Sequence, residues 1–295
     1  MKNTVFKGYA TAMVTPMTST GVDYDTLERF IEFQIENGIH ALVAVGTTGE
    51  SATLSPEERK AVIRFTVKKA NGRVPVIAGC GTNNTEHVLD FTKSACDDGA
   101  DAILAVTPYY NKATQGGLIA HYSAIADASE KPLILYNVPS RTGCNMLPDT
   151  VATLADHEKI CGIKEASGNM AQVVEILAKC GDKIDLYSGE DALTVPMMSM
   201  GGVGCISVLS NVMPKESAEL ANKFFAGDLA GAARLQKDVL GLVNALFCEV
   251  NPIPAKAAVA AMGFGEEHLR LPLTKMEPKN RERLFNEMRR LGVLK

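Results

Sequence analysis

The segment ICGIKEASGN, residues 160–169, places a lysine at the end of an apolar stretch. Lysine strongly resists burial, so an apolar strand that ends on Lys164 indicates a chemical role. An uncharged lysine amine attacks a carbonyl carbon to form an imine, and desolvation favours the uncharged form. Regular strand alternation predicts that Gly162 and Ile160 share the face of Lys164, with the glycine leaving room for the amine. The alternative is a strand-end lysine whose amine simply reaches water.

Hydroxyl groups that could relay protons lie close to the ends of three other apolar runs. Imine formation needs several proton transfers, which side-chain hydroxyls near the lysine can carry. A tyrosine on a strand is usually a packing residue, but three of the chain's seven tyrosines fall at 109–110 and 136. The candidates are Thr47, Thr48, Tyr110 and Tyr136. We therefore predict covalent catalysis with a hydroxyl relay around the lysine.

Two features suit a small carboxylate substrate. The segment GTTGES (46–51) offers free backbone N–H groups beside two hydroxyls, and the planar guanidinium of Arg141 matches a carboxylate. The alternative for Arg141 is a surface role in holding its own loop. GTTGES lacks the Lys-Ser/Thr pair of a nucleotide P-loop, and GCGTNN (79–84) has Asn84 where a dinucleotide fingerprint needs a third glycine. We therefore expect an anionic substrate and no nucleotide cofactor.

The elements that must position these residues are eight apolar runs separated by amphipathic helical patterns. Runs that are apolar throughout predict parallel strands covered by helices on both faces. Eight such units predict an α/β fold, a (β/α)8 TIM barrel, although a doubly wound sheet would show the same alternation. The runs lie at 9–14, 41–45, 74–79, 101–106, 132–137, 160–164, 184–188 and 203–208.

The strands end before the last quarter of the chain. Three helical patterns follow, at 229–247, 254–263 and 278–292. We predict a catalytic barrel domain at 1–227 and a helical C-terminal region at 228–295 that packs on it. In a barrel the segments after the strands meet at one end, where the catalytic groups of this fold lie. All the candidate residues above fall in such segments or at strand ends.

Composition excludes several classes of partner. With 34 acidic and 30 basic residues the net charge is −4, and no extended basic cluster would favour a nucleic acid. No apolar run has the length of a membrane span and no signal peptide is evident, so we expect a cytoplasmic protein. Seven cysteines without a C-x-x-C pair fit reduced thiols, and five scattered histidines predict no metal site.

Five motifs together resemble the dihydrodipicolinate synthase family of pyruvate-dependent class I aldolases. The resemblance covers about residues 4 to 292. It implies a barrel with a helical C-terminal region, assembled as a homotetramer that is a dimer of dimers. The motifs are GTTGES, VTPYYN, LYNVPSRTG, GIKEASGN and NPIP (251–254).

The resemblance also implies a role for each candidate. Lys164 would be the Schiff-base lysine, and the proton relay would consist of Tyr136, Thr47 and Tyr110, with Tyr110 crossing a dimer interface into the partner's site. Pyruvate would form an imine on the lysine and then an enamine, which attacks L-aspartate 4-semialdehyde without any cofactor. The product would enter lysine biosynthesis through diaminopimelate. The implied substrate contacts are Thr48, Arg141, Gly189 and Ile206.

Two alternatives remain at this point. Another pyruvate-dependent aldolase, acting on sialic acid or a keto-deoxy sugar acid, would use Lys164 and Tyr136 in the same way. Arg141 within SRTG suits a short substrate with a carboxylate better than a long polyol. A catalytically silent barrel that binds a carboxylate is the second alternative, although the full set of candidate residues argues against it.

Regulated members of the family bind L-lysine in a pocket that this chain alters. Arg59 and His87 match positions that carry a carboxylate or a histidine in those members, and Pro56 replaces a frequent histidine. Positive charge disfavours the ammonium of an effector. We therefore predict weak or absent inhibition by L-lysine, although four pocket positions still match, namely Ser51, Ala52, Asn83 and Tyr109.

Overall fold

Eight parallel strands close into a barrel in the computed structural model, which describes residues 3–295. Each strand pairs with the next along the chain, and the eighth pairs with the first. In chain order the strands are β1 Gly8–Ala12, β2 Ala41–Ala44, β3 Val76–Gly79, β4 Ala102–Val106, β5 Leu133–Asn137, β6 Ile160–Glu165, β7 Asp185–Ser188 and β8 Gly204–Ser207. Every strand overlaps one predicted run, so the (β/α)8 barrel is confirmed and the doubly wound sheet is wrong.

Helices follow the strands and cover the outside of the barrel. A short hairpin, Met17–Thr18 with Gly21–Val22, precedes the first helix. Among residues 3–295 no helix is both long and apolar enough to cross a membrane. The helices are α1 Tyr24–Glu36, α2 Pro56–Ala70, α3 Thr85–Asp97, α4 Gln115–Ala128, α5 Pro139–Thr142, α6 Pro148–Leu154, α7 Met170–Cys180, α8 Thr194–Ser199 and α9 Pro214–Phe225.

Helix α2 begins as its sequence predicts. The Ser55 hydroxyl accepts a hydrogen bond from the Glu58 N–H at 3.2 Å, and the Glu58 carboxylate accepts one from the Ser55 N–H at 2.9 Å. Pro56 is the first helical residue, where no hydrogen bond from its nitrogen is needed. This reciprocal capping satisfies two N–H groups that a helix start would otherwise leave unpaired.

The C-terminal helices are α10 Leu229–Asp238, α11 Leu240–Leu246, α12 Ile253–Ala261 and α13 Pro278–Arg290. The predicted single helix at 229–247 is wrong, because the backbone of Val239 (φ −87°, ψ −7°) ends one helix and starts the next. Helix α12 is buried from Ile253 to Val259 and pairs its Lys256 with Glu50, which follows β2. The division of the chain at residue 227 stays a prediction.

An extra residue at the start of β6 changes which side chains face the barrel interior. Leu133 pairs with Ile160, but the next residue, Ile134, pairs with Gly162, so Cys161 is the extra residue. Cys161 therefore packs in the interior cluster, while Ile160 packs in the outer layer against the helices. The prediction that Ile160 shares the face of Lys164 is wrong for this reason.

Candidate active site

The carboxyl ends of the strands surround a cavity of about 730 Å³. Its walls come from the segments that follow the strands, and helix α11 with the residues after it forms one side. This is the end of a barrel at which catalytic groups of the fold lie. Six of the predicted residues line the cavity, namely Thr47, Thr48, Tyr136, Arg141, Lys164 and Gly189.

Lys164 lies on the cavity floor and is only 6% exposed. Its Nζ lies 4.2 Å from the centre of the Tyr136 ring. Lys164 and Lys256 are the two buried lysines of residues 3–295, and Lys256 forms a salt bridge with Glu50. Lys164 instead faces an aromatic ring and the open cavity, where an incoming carbonyl can reach its amine.

Gly189 provides the space for the lysine side chain. A Cβ at this position would lie 3.1 Å from Lys164 Cε and 2.6 Å from the Ala166 Cβ. The prediction that Gly162 leaves this room is wrong, because the ring of Tyr187 already fills it and would lie 3.2 Å from a Cβ there. A glycine after β7, and not the glycine in β6, thus admits the amine to the cavity.

The segment after β2 is held in an uncommon backbone conformation. Val45 and Glu50, neither of them glycine, have φ of 57° and 58°. Strained backbone of this kind persists where surrounding contacts fix it, and it clusters at functional sites. Thr48 is buried on this segment, and its Oγ1 accepts a hydrogen bond from Asn251 Nδ2 at 2.9 Å.

Arg141 is exposed at the cavity mouth on the short helix α5. Its Nη2 donates a hydrogen bond to the backbone oxygen of Asn251 at 3.3 Å. The rest of the guanidinium keeps donors that a carboxylate in the cavity could engage in a planar fork.

A buried carboxylate fixes the two strand ends that carry the tyrosine and the lysine. Glu165 is 0% exposed and accepts hydrogen bonds from Asn137 Nδ2 at 3.0 Å, Gln172 Nε2 at 3.2 Å and the Ser167 N–H at 2.7 Å. A buried carboxylate is tolerated only with such partners. The network ties β5, β6 and α7 together directly behind the cavity.

Two predicted residues lie outside this chain's cavity lining. Tyr110 is 90% exposed and has a left-handed φ of 73°. Ile206 is buried in the barrel interior on β8, beneath the cavity. In a single chain the structure therefore does not bring Tyr110 to Lys164.

The lining residues that were not singled out from the sequence include Glu190, Asp191 and Asn251. Burial and the negative charge of Glu165 raise the pKa of the Glu190 carboxyl group. Asp191 accepts hydrogen bonds from the backbone N–H groups of Val208 at 2.9 Å and Leu209 at 3.0 Å, and so holds the turn after β8. Asn251 belongs to the NPIP motif (251–254), and this motif is the sequence signal that could have identified it as a site residue.

Metal ligation has no support within the described residues. Residues 3–295 contain no group of three or more His, Cys, Asp or Glu side chains placed to hold a metal ion. The seven cysteines, all within residues 3–295, form no disulfide bond, and five of them are buried. The expectation that the site works without a cofactor stays a prediction.

Comparison with known proteins gives one family over almost the whole chain. Residues 5–290 match the model of the Dihydrodipicolinate synthetase family. The 4-hydroxy-tetrahydrodipicolinate synthase of Geobacter sulfurreducens is 52% identical over 290 residues, which are 98% of this chain and 100% of that protein. The corresponding protein of Alkaliphilus oremlandii is 50% identical over the same shares of the two chains.

Solved structures agree with this result. The dihydrodipicolinate synthase of Thermotoga maritima superposes with a TM-score of 0.97 at 42% identity, over 99% of this chain and 100% of that one. The chloride-inhibited enzyme of Acinetobacter baumannii, complexed with pyruvate, gives a TM-score of 0.96 at 45% identity over the same shares. The chain belongs to the dihydrodipicolinate synthetase family, as the motifs around Lys164 predicted.

Proposed function

We propose that the chain condenses pyruvate with L-aspartate 4-semialdehyde, the activity for which its curated relatives are named. The observation that carries the proposal is a buried lysine, Lys164, on the floor of the barrel cavity with Tyr136 against its amine. The family consists of lyases of the class I aldolase type. The reaction belongs to lysine biosynthesis through diaminopimelate, and we place it in the cytoplasm.

The chemistry begins at the lysine amine. Uncharged Lys164 adds to the keto carbon of pyruvate, and loss of water leaves an imine. The protonated imine withdraws electrons, so a proton leaves the pyruvate methyl group and an enamine forms without any external cofactor. The enamine carbon attacks the aldehyde of the semialdehyde. The amino group of that substrate then displaces Lys164, closes the ring and frees the enzyme.

Proton transfer is assigned to three hydroxyl groups. Tyr136 lies against the amine within the same chain, and Thr47 lines the cavity. Tyr110 completes the relay from a second copy of the chain, and its 90% exposure supports this assignment. The assembly we propose is a homotetramer, a dimer of dimers, in which each tight dimer exchanges this tyrosine.

The two substrate carboxylates are assigned to polar and positively charged groups of the site. We assign the pyruvate carboxylate to Thr48 and to the segment at Gly189, with Ile206 supporting the floor, and the carboxylate of the semialdehyde to Arg141. A cation at the mouth favours this short acidic substrate over the polyol chain of a sialic acid or keto-deoxy sugar acid. The same complete set of groups disfavours a silent, ligand-binding barrel.

We further propose that L-lysine is at most a weak inhibitor. Arg59 is 6% exposed, stacks 3.9 Å from the Phe91 ring centre and donates to the Gly79 oxygen at 3.0 Å. This cation and exposed His87 occupy positions where regulated relatives present groups that attract the effector. Steady-state assays with added lysine test this, and inhibition below millimolar lysine would contradict it. A His87→Glu variant should gain sensitivity if charge is the cause.

Reductive trapping tests the main proposal. Borohydride added with pyruvate should leave a stable three-carbon adduct on Lys164, located by peptide mass spectrometry. Lys164→Ala should give neither adduct nor turnover, whereas Lys215→Met, which changes an exposed lysine outside the cavity lining, should keep the adduct. An adduct on another lysine, or no adduct at all, would contradict the proposed mechanism. Parallel assays with aspartate semialdehyde and with sugar-acid aldehydes then identify the second substrate.

A further inference from the structure

Asn251 connects two groups to which the proposed function assigns the substrate carboxylates. It is 5% exposed and lines the cavity from the segment that precedes α12. Its side-chain Nδ2 donates to Thr48 Oγ1 at 2.9 Å, and its backbone oxygen accepts from Arg141 Nη2 at 3.3 Å. A single residue of the C-terminal region thus contacts both sides of the site.

The direction of the first hydrogen bond determines where the Thr48 proton points. An amide N–H only donates, so the Thr48 oxygen is the acceptor and its own proton must lie elsewhere. Within residues 3–295 the Thr48 hydroxyl donates to no protein acceptor. Thr48 also lines the cavity, where a ligand can approach its proton. The hydroxyl is therefore directed to donate to an oxygen of a bound ligand.

The other end of the Asn251 amide favours the same orientation. Asn251 Oδ1 is buried and has no hydrogen-bond partner. If the amide were reversed, both of its N–H hydrogens would lie at the present Oδ1 position without an acceptor, whereas the observed orientation leaves that oxygen and one N–H unpaired. Unpaired buried donors are the costlier arrangement because nearly all buried N–H groups in proteins are bonded.

A second contact holds the same two segments together. Glu50, two residues after Thr48, forms a salt bridge with Lys256, five residues after Asn251, and the two side chains are 1% and 2% exposed. Breaking one partner of such a buried pair is strongly destabilising. The amide and the threonine are therefore held opposite each other before any substrate arrives.

We propose that Asn251 is a positioning residue, which directs the Thr48 hydroxyl proton toward the pyruvate carboxylate and fixes Arg141 at the cavity mouth. The inference rests on the proposed function, because it names how that site recognises its first substrate. Asn251 acts through its two neighbours and takes no part in bond making.

The test measures the pyruvate concentration that gives half-maximal borohydride trapping on Lys164. Asn251→Asp keeps the shape but presents only acceptors, so Thr48 turns its proton toward the introduced carboxylate and away from the substrate. We expect the half-saturating concentration to rise about tenfold or more, as for a lost hydrogen bond to a charged group. Asn251→Leu removes the donor without a new acceptor and should give a smaller rise.

A double-mutant cycle separates positioning from a general structural effect. Thr48→Val removes the hydroxyl through which Asn251 acts, so adding Asn251→Leu should raise the half-saturating pyruvate concentration no further. The matched control is Gln34→Leu. Gln34 is a buried amide that accepts a hydrogen bond of 2.6 Å from the Thr11 hydroxyl, and neither residue lines the cavity. It should lower the melting temperature and leave the pyruvate dependence unchanged.

The outcomes are distinguishable. If the wild-type chain gains no adduct on Lys164, the proposed function fails and the role of Asn251 fails with it. If the wild type is trapped normally and folded Asn251→Asp shows the same half-saturating pyruvate concentration, only the positioning role is wrong. Additive effects of Thr48→Val and Asn251→Leu would also overturn it, because the amide would then act independently of the hydroxyl.

Discussion

Lys164 and Tyr136 are direct partners on neighbouring parallel strands, and the lysine Nζ lies 4.2 Å from the centre of the tyrosine ring. The pairing follows from the barrel itself, because strand register places equivalent side chains on one face. The Glu165 network fixes both strand ends from behind. The lysine and the tyrosine ring that packs on it are therefore organised within one chain.

Tyr136→Phe should remove the relay hydroxyl while keeping the ring that packs on the lysine. We expect turnover to fall by about 10²–10⁴, the usual contribution of a general acid–base group, while pyruvate is still trapped on Lys164, only more slowly. Steady-state rates and trapping time courses measure this. Tyr187→Phe is the control, since Tyr187 is the other strand partner of Lys164 but its hydroxyl donates to the Phe6 oxygen at 2.9 Å. Equal losses in both variants would contradict the relay role.

Tyr110 offers a test of exchange between copies of the chain. If it acts in a partner's site, Tyr110→Phe and Lys164→Ala are each nearly inactive alone, but mixed oligomers contain an intact site. Refolding the two variants together should therefore restore activity that neither has by itself. The assay is turnover of the mixture against the separately refolded variants.

The control for this experiment replaces Tyr110→Phe with Tyr136→Phe. Tyr136 and Lys164 belong to one chain's cavity, so a mixture of Tyr136→Phe and Lys164→Ala should recover no activity. Recovery in this control, or none in the Tyr110 mixture, would show that Tyr110 is not shared between copies.

Gly189→Ala should block the lysine without altering any chemical group. The added Cβ would lie 2.6 Å from the Ala166 Cβ and 3.1 Å from Lys164 Cε, so the amine must move. We expect pyruvate trapping and turnover to fall together. Gly116→Ala is the control, because a Cβ there meets nothing within 4 Å and lies in helix α4, where alanine is favoured. Full activity of Gly189→Ala would show that the lysine does not need this space.

Features that depend on local pattern were predictable. Ser55, Pro56 and Glu58 start a helix because capping involves residues three positions apart, and the apolar run before Lys164 marks a buried strand whatever lies around it. The extra residue Cys161 was not predictable, because it depends on how β6 pairs with β5. Periodicity within one segment carries no information about its partner's register.

The contact between Thr48 and Asn251 could not be predicted from the sequence either. The two residues are 203 positions apart, and their meeting depends on where the C-terminal helices pack on the barrel. An asparagine is common in turns, so its type alone gave no reason to prefer a site over a loop. The break at Val239 was missed as well, because no proline interrupts the helical pattern from 229 to 247.

The contact between Glu58 and Arg270 predicts how stability depends on pH. Both terminal guanidinium nitrogens of Arg270, Nη1 and Nη2, donate to the carboxylate at 2.6 Å, and these hydrogen bonds hold the pKa of Glu58 below its usual value of 4.5. Because the folded-state pKa is lower than the unfolded one, the stabilisation is complete above about pH 4.5 and is lost as pH falls through the folded pKa.

Glu58→Gln should therefore lower the melting temperature at neutral pH, by the equivalent of about 1 kcal/mol or less, since the pair is partly exposed. The difference from wild type should shrink steadily as the pH is taken below 4.5, because protonation then weakens the wild-type pair as well. Arg270→Leu should behave alike, and combining the two changes should add little. A difference that stays constant from neutral to acid pH would show that the charge of Glu58 does not stabilise the fold.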